Sequence, residues 1–336
     1  MGQTGSILAY LFFTFFPDQL FSKLPAIDTD LTGRTYLVTG SNTGLGLAAE
    51  IHLARLKASR IVLAIRDLNK GAKAKEEIIA QTNFAGIIDV WELDMSKFNS
   101  VKGFMERTNG ELKRLDGAII NAGIPNPLRR ETTEDGWEKL LQVNAIATGL
   151  LSVLLLPLLQ ATAKLSQEAP HLTLTGSAAQ FMARFSEKRA TNILQTLNDP
   201  SQSNALSGDR YPTTKLFDLF LAREISKLPQ AEGVVINVVD PGLCRSDITR
   251  DEKLGAVGMF FMRNIGWPTS KGAINLIWAQ LTATPPGAFI GSCEIRQPPA
   301  WTTKKDGLLI QKKVWDEMVE VWKGVSPDVG NIIRLR

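Results

Sequence analysis

At 336 residues, 44% hydrophobic and 21% charged, the chain has the balance of a globular protein that buries one large core or two small ones. Its formal charge of +4 comes from scattered basic residues, which argues against a nucleic-acid surface and is satisfied by an anionic small molecule. Cys244 and Cys293, with His52 and His171, lack the spacing of disulfide scaffolds or metal sites, so reduced thiols, a cytoplasmic location and no metal are expected.

The first element in chain order is an apolar run, Ile7 to Phe16, holding four phenylalanines, with Leu20 and Phe21 just beyond Pro17. It is about half the length a membrane span requires. It also lacks the basic start and small-residue cleavage site of a secretory signal. Residues 1–30 are therefore expected to stay on the protein as a separate apolar segment. Packing on the body is the simplest role. Roofing an apolar pocket and peripheral membrane contact through residues 7–21 are the sharper ones. Met1, Gly2 and Ser6 fit a myristoylation pattern that many unmodified proteins share.

From Leu31 onward the apolar periodicity alternates between strand and helix. Strands are predicted at Arg34 to Val38, Arg60 to Ile65, Ile87 to Leu93, Leu115 to Ile120, His171 to Thr175 and Val234 to Val239, with Phe289 and Ile290 as a seventh. Helices are predicted at Leu45 to Lys57, Asn69 to Gln81, Ser96 to Arg107, Thr133 to about Lys164, Tyr211 to Lys227 and Leu308 to Lys323. The polar stretch Leu197 to Asp209 is a loop. Such alternation implies parallel strands with helical crossovers on both faces, a doubly wound α/β architecture in one domain over residues 31–336.

Between the first strand and its helix, Thr39 to Gly46 reads T-G-S-N-T-G-L-G. Glycines at 40, 44 and 46 allow a tight turn and bring backbone close to a pyrophosphate, while the helix offers unpaired N–H groups to that anion. A turn that merely needs positive φ is the plain alternative, and its place in the first βαβ unit favours a dinucleotide. At the end of the second strand an NAD enzyme usually carries an acidic group for the ribose. Ile65 and Arg66 stand there instead, and a guanidinium suits the 2′-phosphate of NADP. Asp67 offers Arg66 an ordinary salt bridge as the competing arrangement.

Tyr211 and Lys215, four apart at the start of a helix, share one face. A free phenol ionises near pH 10, too weakly for proton transfer at neutrality. One lysine charge about 4 Å away at an effective dielectric of about 20 contributes about 4 kcal/mol, roughly a thousandfold in acidity. The other tyrosines, Tyr10 and Tyr36, have Thr14 and Gly40 at that spacing. Ser177, just past the fifth strand, can hold a carbonyl oxygen. Asn144, in an apolar helix, needs partners and could hold a water between Lys215 and solvent. Singly, both are ordinary loop and cap residues.

Together these residues resemble the short-chain dehydrogenase/reductase family over about Leu31 to Ile248. The likeness rests on Thr39 to Gly46, Asn121-Ala122-Gly123, Asn144, Thr175-Gly176-Ser177, Tyr211 with Lys215, and Pro241-Gly242 with Ser246 in place of the usual threonine. It implies a seven-stranded Rossmann sheet and hydride transfer between a nicotinamide and a carbonyl or alcohol carbon. In that reaction Tyr211 is implied as proton donor or acceptor, Ser177 as the group orienting the substrate oxygen, Lys215 on the nicotinamide ribose, and Asn144 in a relay. Cofactor contacts are implied for Gly40, Asn42, Gly44, Leu45, Gly46, Arg66, Asp94 at the adenine, Asn121, Tyr211, Lys215, Gly242 and Ser246. The wording around Arg210-Tyr211-Pro212 and Pro241-Gly242-Leu243-Cys244 resembles fungal members related to retinol dehydrogenases, many of them in secondary-metabolite pathways.

The chain departs from the family pattern in its long span from Ser177 to Tyr211 and in residues 1–30, which carry no family motif. Met259, Phe260, Phe261, Met262 and Trp267, in the substrate-covering region at about 247–267, suit a bulky lipophilic terpenoid, polyketide or retinoid-like substrate, or else are helix packing. Rival readings are a redox-neutral isomerase or cyclase on the same scaffold, and a non-catalytic NADP-binding protein. Oligomeric state stays open, with a homodimer as the form to test.

Overall fold

The computed structural model describes residues 10–126, 129–166, 168–201, 208–245 and 263–334. Among them are strands β1 (Thr35–Thr39), β2 (Arg60–Ile65), β3 (Ile87–Glu92), β4 (Gly117–Ile120), β5 (His171–Thr175), β6 (Val235–Asp240), β7 (Ala288–Gly291) and β8 (Glu294–Arg296). They form one sheet in the order β3-β2-β1-β4-β5-β6-β7-β8, parallel throughout except for the last pair. The helices that matter below are α1 (Phe16–Phe21), α2 (Gly44–Arg55), α3 (Leu68–Thr82), α4 (Phe98–Glu111), α5 (Lys139–Leu165), α6 (Arg210–Ile225), α7 (Thr269–Leu281) and α8 (Lys305–Val325).

Helices cover both faces of the sheet, so the central strands are apolar on both sides rather than alternating. Leu37, Val62 and Ala64 face one core, which also takes the inner sides of α4, α5, α6 and α8. Tyr36, Val38, Ile61 and Leu63 face the other, with α2, α3 and α7. α5 is long and apolar enough to cross a membrane, yet it is mostly buried in the first of these cores, where an all-round apolar surface is what packing requires. β1 has β2 on one side and β4 on the other, so the winding reverses there and the carboxyl ends of β1 and β4 open a crevice.

The sheet has eight strands where seven were expected. β8 returns antiparallel from β7 through Ser292 and Cys293, both left-handed at φ 54° and 58°. Two such residues make the tight turn a two-residue hairpin needs. Neither residue is the Asn or Gly that announces one. The helix expected from Thr133 begins instead at Lys139. Gly136, at φ 82°, and a bridge between Thr132 and Glu138 hold the preceding stretch in a turn.

Residues 10–21 are tied to the body rather than trailing from it. Asp18 pairs with Arg296 at 2.7 Å. Gln19, fully buried, accepts from Leu243 N–H at 3.0 Å and donates to the carbonyls of Leu243 at 3.0 Å and Ile265 at 2.7 Å. The Gln19 carbonyl accepts from the indole of Trp267 at 2.7 Å. On the opposite side Phe12, Phe13, Leu20 and Phe21 are 64%, 83%, 52% and 78% exposed. The myristoylation pattern at residues 1–6 lies outside the described residues.

One buried ionic cluster sets the start of α6. The Arg210 guanidinium lies 3.0 Å from Glu138 and 3.8 Å from Glu187, and donates to the Leu197 carbonyl at 2.9 Å; all three charged side chains are buried. Removing the cation strands two buried carboxylates. Arg210→Met is therefore expected to cost about 3–5 kcal/mol of stability. Urea unfolding followed by circular dichroism would measure it, and a loss below about 1 kcal/mol would be inconsistent with a shared cation in this cluster.

Candidate active site

A cleft of about 750 Å³ runs along the carboxyl ends of β1 to β6. At its inner end the turn from Gly40 to Gly46 leads from β1 into α2. Gly40 and Gly44 are left-handed at φ 66° and 62°. A Cβ on Gly40 would lie 2.9 Å from the Ala122 backbone, and one on Gly46 would lie 2.6 Å from the Gly40 carbonyl, so neither position admits a side chain without movement. Gly40, Asn42, Thr43, Gly44 and Leu45 line the cleft where the first turn of α2 leaves its N–H groups unpaired. An anion at this end meets donors and the positive end of the helix dipole.

The Thr39 hydroxyl accepts from the backbone N–H groups of Asn121 and Ala122, each at 2.9 Å. The Asn121 amide donates to the carbonyls of Thr39 at 3.0 Å and Gly40 at 3.4 Å. Asn121, expected at the cofactor, thus also fastens the end of β4 to the glycine-rich turn. Asp94 lines the cleft, and its carboxylate accepts from the N–H and hydroxyl of Ser96 at 3.0 and 2.6 Å.

Arg66 is exposed on the cleft wall, and Lys70, which the sequence did not single out, lies there too. Asp67 caps α3 by accepting from the N–H groups of Asn69 and Lys70 at 3.0 and 3.2 Å. Among the described residues no ion pair joins Arg66 to Asp67. Ile65 itself points into the core, where a Cβ on Gly71 would overlap its side chain.

The second half of the cleft carries Ser177, Tyr211 and Lys215. Tyr211 is at the first turn of α6, and its N–H, which the helix cannot pair, donates to the Asn126 side chain at 3.0 Å. Lys215, one turn on and buried, donates to the Thr175 carbonyl at 2.8 Å and to Asp218 at 3.0 Å. Its ammonium lies 5.8 Å from the centre of the Tyr211 ring. Burial pushes the Lys215 pKa down, but Asp218 and the Tyr211 phenol outweigh it, and the net direction is up. Burial raises the Asp218 carboxyl to about 6 against the opposing pull of Lys215. Asp218 is a partner that sequence reasoning missed, although its i,i+3 spacing from Lys215 was visible.

Ser177 follows β5 and accepts from the Ala179 N–H at 3.1 Å, capping the short 3₁₀ turn Ala178–Met182. Asn144 sits in a wider π-type turn, Gln142–Ile146, within α5. Its amide accepts from Ile124 N–H at 2.8 Å and donates to the Ile124 carbonyl at 2.9 Å and to Thr214 at 3.4 Å. The side chain therefore clamps the loop after β4, whose Asn126 in turn holds Tyr211. Gly242 is left-handed at φ 79°, and a Cβ there would meet the Trp267 ring at 3.0 Å. Trp267 packs behind the cleft rather than lining it. Ser246 and Met259 to Met262 lie outside the described residues. Among the described residues the apolar wall includes Tyr10, Leu11, Phe15, Phe181 and Met182.

Residues 34–166 match the family model described as short chain dehydrogenase. The chain is 35% identical over 322 residues to the short chain dehydrogenase/reductase dmxR8 of Cryptosporiopsis sp. (strain 8999), covering 94% of this chain and 98% of that one. It is 31% identical over 319 residues to the short-chain dehydrogenase/reductase ffsI of Aspergillus flavipes, covering 93% of each. The fold is shared with the Pseudomonas aeruginosa RhlG/NADP active-site complex, at TM-score 0.59 and 23% identity over 78% of this chain and 95% of that one. It is also shared with a short-chain dehydrogenase from Sphingobium yanoikuyae in complex with NADPH, at TM-score 0.55 and 17% identity over 73% of this chain and 83% of that one.

Proposed function

The chain belongs to the short-chain dehydrogenase/reductase family, and from that membership we propose that it is an NADP-dependent oxidoreductase interconverting a carbonyl and an alcohol on a lipophilic small molecule. The observation that carries this reading is the convergence of Ser177, Tyr211 and Lys215 on the cleft that begins at the glycine-rich turn. A dinucleotide fits the residues present, with donors at Asn42 to Leu45 for its pyrophosphate and Arg66 with Lys70 for a 2′-phosphate. When bound, it supplies or accepts the hydride.

This chain's own residues then handle the proton and the oxygen. Tyr211 transfers a proton at its phenol oxygen to or from the substrate oxygen, and Ser177 donates a hydrogen bond that orients that oxygen. Lys215, fixed by Thr175 and Asp218, keeps a positive charge beside the phenol and favours its ionised form. Asn144 holds the loop that positions Tyr211. Leu11, Phe15, Phe181 and Met182 support a terpenoid, polyketide or retinoid-like substrate, since apolar walls bind by removing hydrophobic area from water.

Anaerobic incubation with NADPH and a panel of lipophilic carbonyls, following cofactor absorbance and product mass together, tests the reading. Loss of NADPH matched by alcohol formation is expected. Product without loss of NADPH would transfer the assignment to a redox-neutral isomerase or cyclase. Tight NADPH binding with no conversion across the panel would favour a binding protein.

The exposed Phe12, Phe13, Leu20 and Phe21 support a second element of the proposal, a cytoplasmic enzyme that rests on a membrane surface. Burying two phenylalanines contributes about 3–6 kcal/mol, so Phe12→Ser with Phe13→Ser should lower partitioning onto phosphatidylcholine vesicles by roughly a hundredfold or more. Equal co-flotation of parent and variant would remove membrane contact from the reading.

A further inference from the structure

Two cavities meet at one pair of rings. The catalytic cleft and a second cavity of about 1120 Å³ both have Tyr10 and Phe181 in their walls. The rings are stacked with centroids 3.6 Å apart and planes 10° apart, which leaves no room for solvent between them. Both are anchored from behind. Phe181 contacts Phe289 of β7 at 6.0 Å, and the segment bearing Tyr10 is held through Asp18 and Gln19.

The second cavity differs in character from the cleft. Lys188, Arg189, Arg296 and Lys304 line it, opposed there among the described residues by Asp306. Lys188 keeps its charge but lies over the Trp301 ring, 5.4 Å from its centre, and Arg296 is neutralised by Asp18 and Glu294. Arg189 and Lys304 are exposed and have no ion pair among the described residues, so they are the cations most open to an incoming carboxylate. The walls around it, Pro298, Trp301, Leu309 and Ile310, are apolar. An apolar chain ending in a carboxylate matches that combination.

We propose that Tyr10 and Phe181 together set the length of substrate the catalytic cleft accepts, by closing it against a cation-lined cavity suited to an apolar tail that ends in a carboxylate. The proposal rests on the reductase reading of the cleft and adds its specificity-determining residues. It gives a role to a segment that carries no family motif.

The test is equilibrium binding of phenyl n-alkyl ketones of increasing length to the NADP⁺-loaded protein, with turnover on NADPH measured separately. For the parent, affinity should rise about fourfold per methylene and then stop at a fixed length. In Tyr10→Ala the rise should continue for at least two more methylenes, making the longest ketone roughly fifteenfold tighter, or more, than for the parent. Phe181→Ala should do the same from the other side of the stack. Tyr10→Phe, which keeps the stacked ring, should restore the parental limit. An ω-carboxylated long ketone should outbind its uncharged counterpart only in the alanine variants, and lose that advantage when Arg189 and Lys304 are both replaced by Ala. The same limit in parent, Tyr10→Ala and Phe181→Ala would overturn the proposal. Reduction of the ketones with an unmoved limit would overturn it while leaving the reductase reading intact. A movable limit with no reduction would sink the reductase reading and keep the length rule.

Discussion

Tyr211→Phe should lower kcat by about 10²- to 10⁴-fold while leaving NADPH affinity within about twofold of the parent. The substitution removes one oxygen and keeps the ring. Tyr211 is held through its backbone N–H on Asn126, and Lys215 through Thr175 and Asp218, so neither anchor depends on the phenol. The loss should fall on kcat because the proton moves in the transition state and not on binding. Stopped-flow turnover beside a fluorescence titration of NADPH separates the two. A variant that oxidises NADPH with the true substrate at the parental rate would end the assignment of Tyr211 as general acid. Lys215→Ala is a poorer probe, since it strips a buried Asp218 of its cation and so damages stability as well as chemistry.

The second large effect concerns the cofactor. NADPH should bind tighter than NADH by roughly ten- to a hundredfold, the equivalent of about 1.5–3 kcal/mol from charge-assisted hydrogen bonds, and Arg66→Ala should erase most of that margin without weakening NADH. The competing arrangement, Arg66 held by Asp67, has little room, because Asp67 is already accepting from two N–H groups at the start of α3. Arg66→Ala with Lys70→Ala should go further than either alone. An acidic residue at 65, the usual route to NAD, is a bad choice here: Ile65 is 1% exposed, and a carboxylate in its place would be buried without a partner. Calorimetry at two salt concentrations provides the check, and equal affinity of the parent for both cofactors would mean that Arg66 does not meet the phosphate.

What could be read from the chain was whatever local periodicity encodes. β1, β2, β4 and β6 were legible because both faces of these strands are covered, which writes an apolar run such as Tyr36-Leu37-Val38 directly into the sequence, whereas the edge strand β3 and the threonine-bearing β5 were read from β-branched and aromatic residues. β8 was not, because Ser292 and Cys293 adopt a left-handed turn without being residues that favour it. α7 was passed over although Ile274, Leu276, Ile277 and Trp278 lie within it. Gly272 near its start reads as a breaker and is in fact required, since a Cβ there would collide with the Cys244 sulfur. In the site, the residue types were legible and their partners were not. Asn144 carries a clear chemical signal, but nothing local says that its amide closes on Ile124, and no spacing rule links Tyr10 to Phe181 or Gln19 to Leu243. The apolar wall was expected near Met259 to Trp267 because that is where the resemblance places it; most of that region lies outside the described residues, and Trp267 is turned to Gln19.

The ties between α1 and the rest of the protein also order events in time. Asp18 and Arg296 are 278 positions apart, and Gln19 and Leu243 are 224 apart. During synthesis at about 5–20 residues per second, the N-terminal phenylalanines emerge roughly 15 to 55 seconds before Arg296 exists to receive Asp18. Before that interval ends, β1 to β5 have all become available to pair while a greasy segment still waits on the nascent chain. Its capture can begin once Leu243 and Trp267 exist for Gln19, and is completed only when β8 brings Arg296 to Asp18. Expression at lower temperature or with a chaperone that shields apolar segments would therefore act on α1 more than on the Rossmann core. An affinity tag is better placed where it does not burden a segment that must wait so long for its partners.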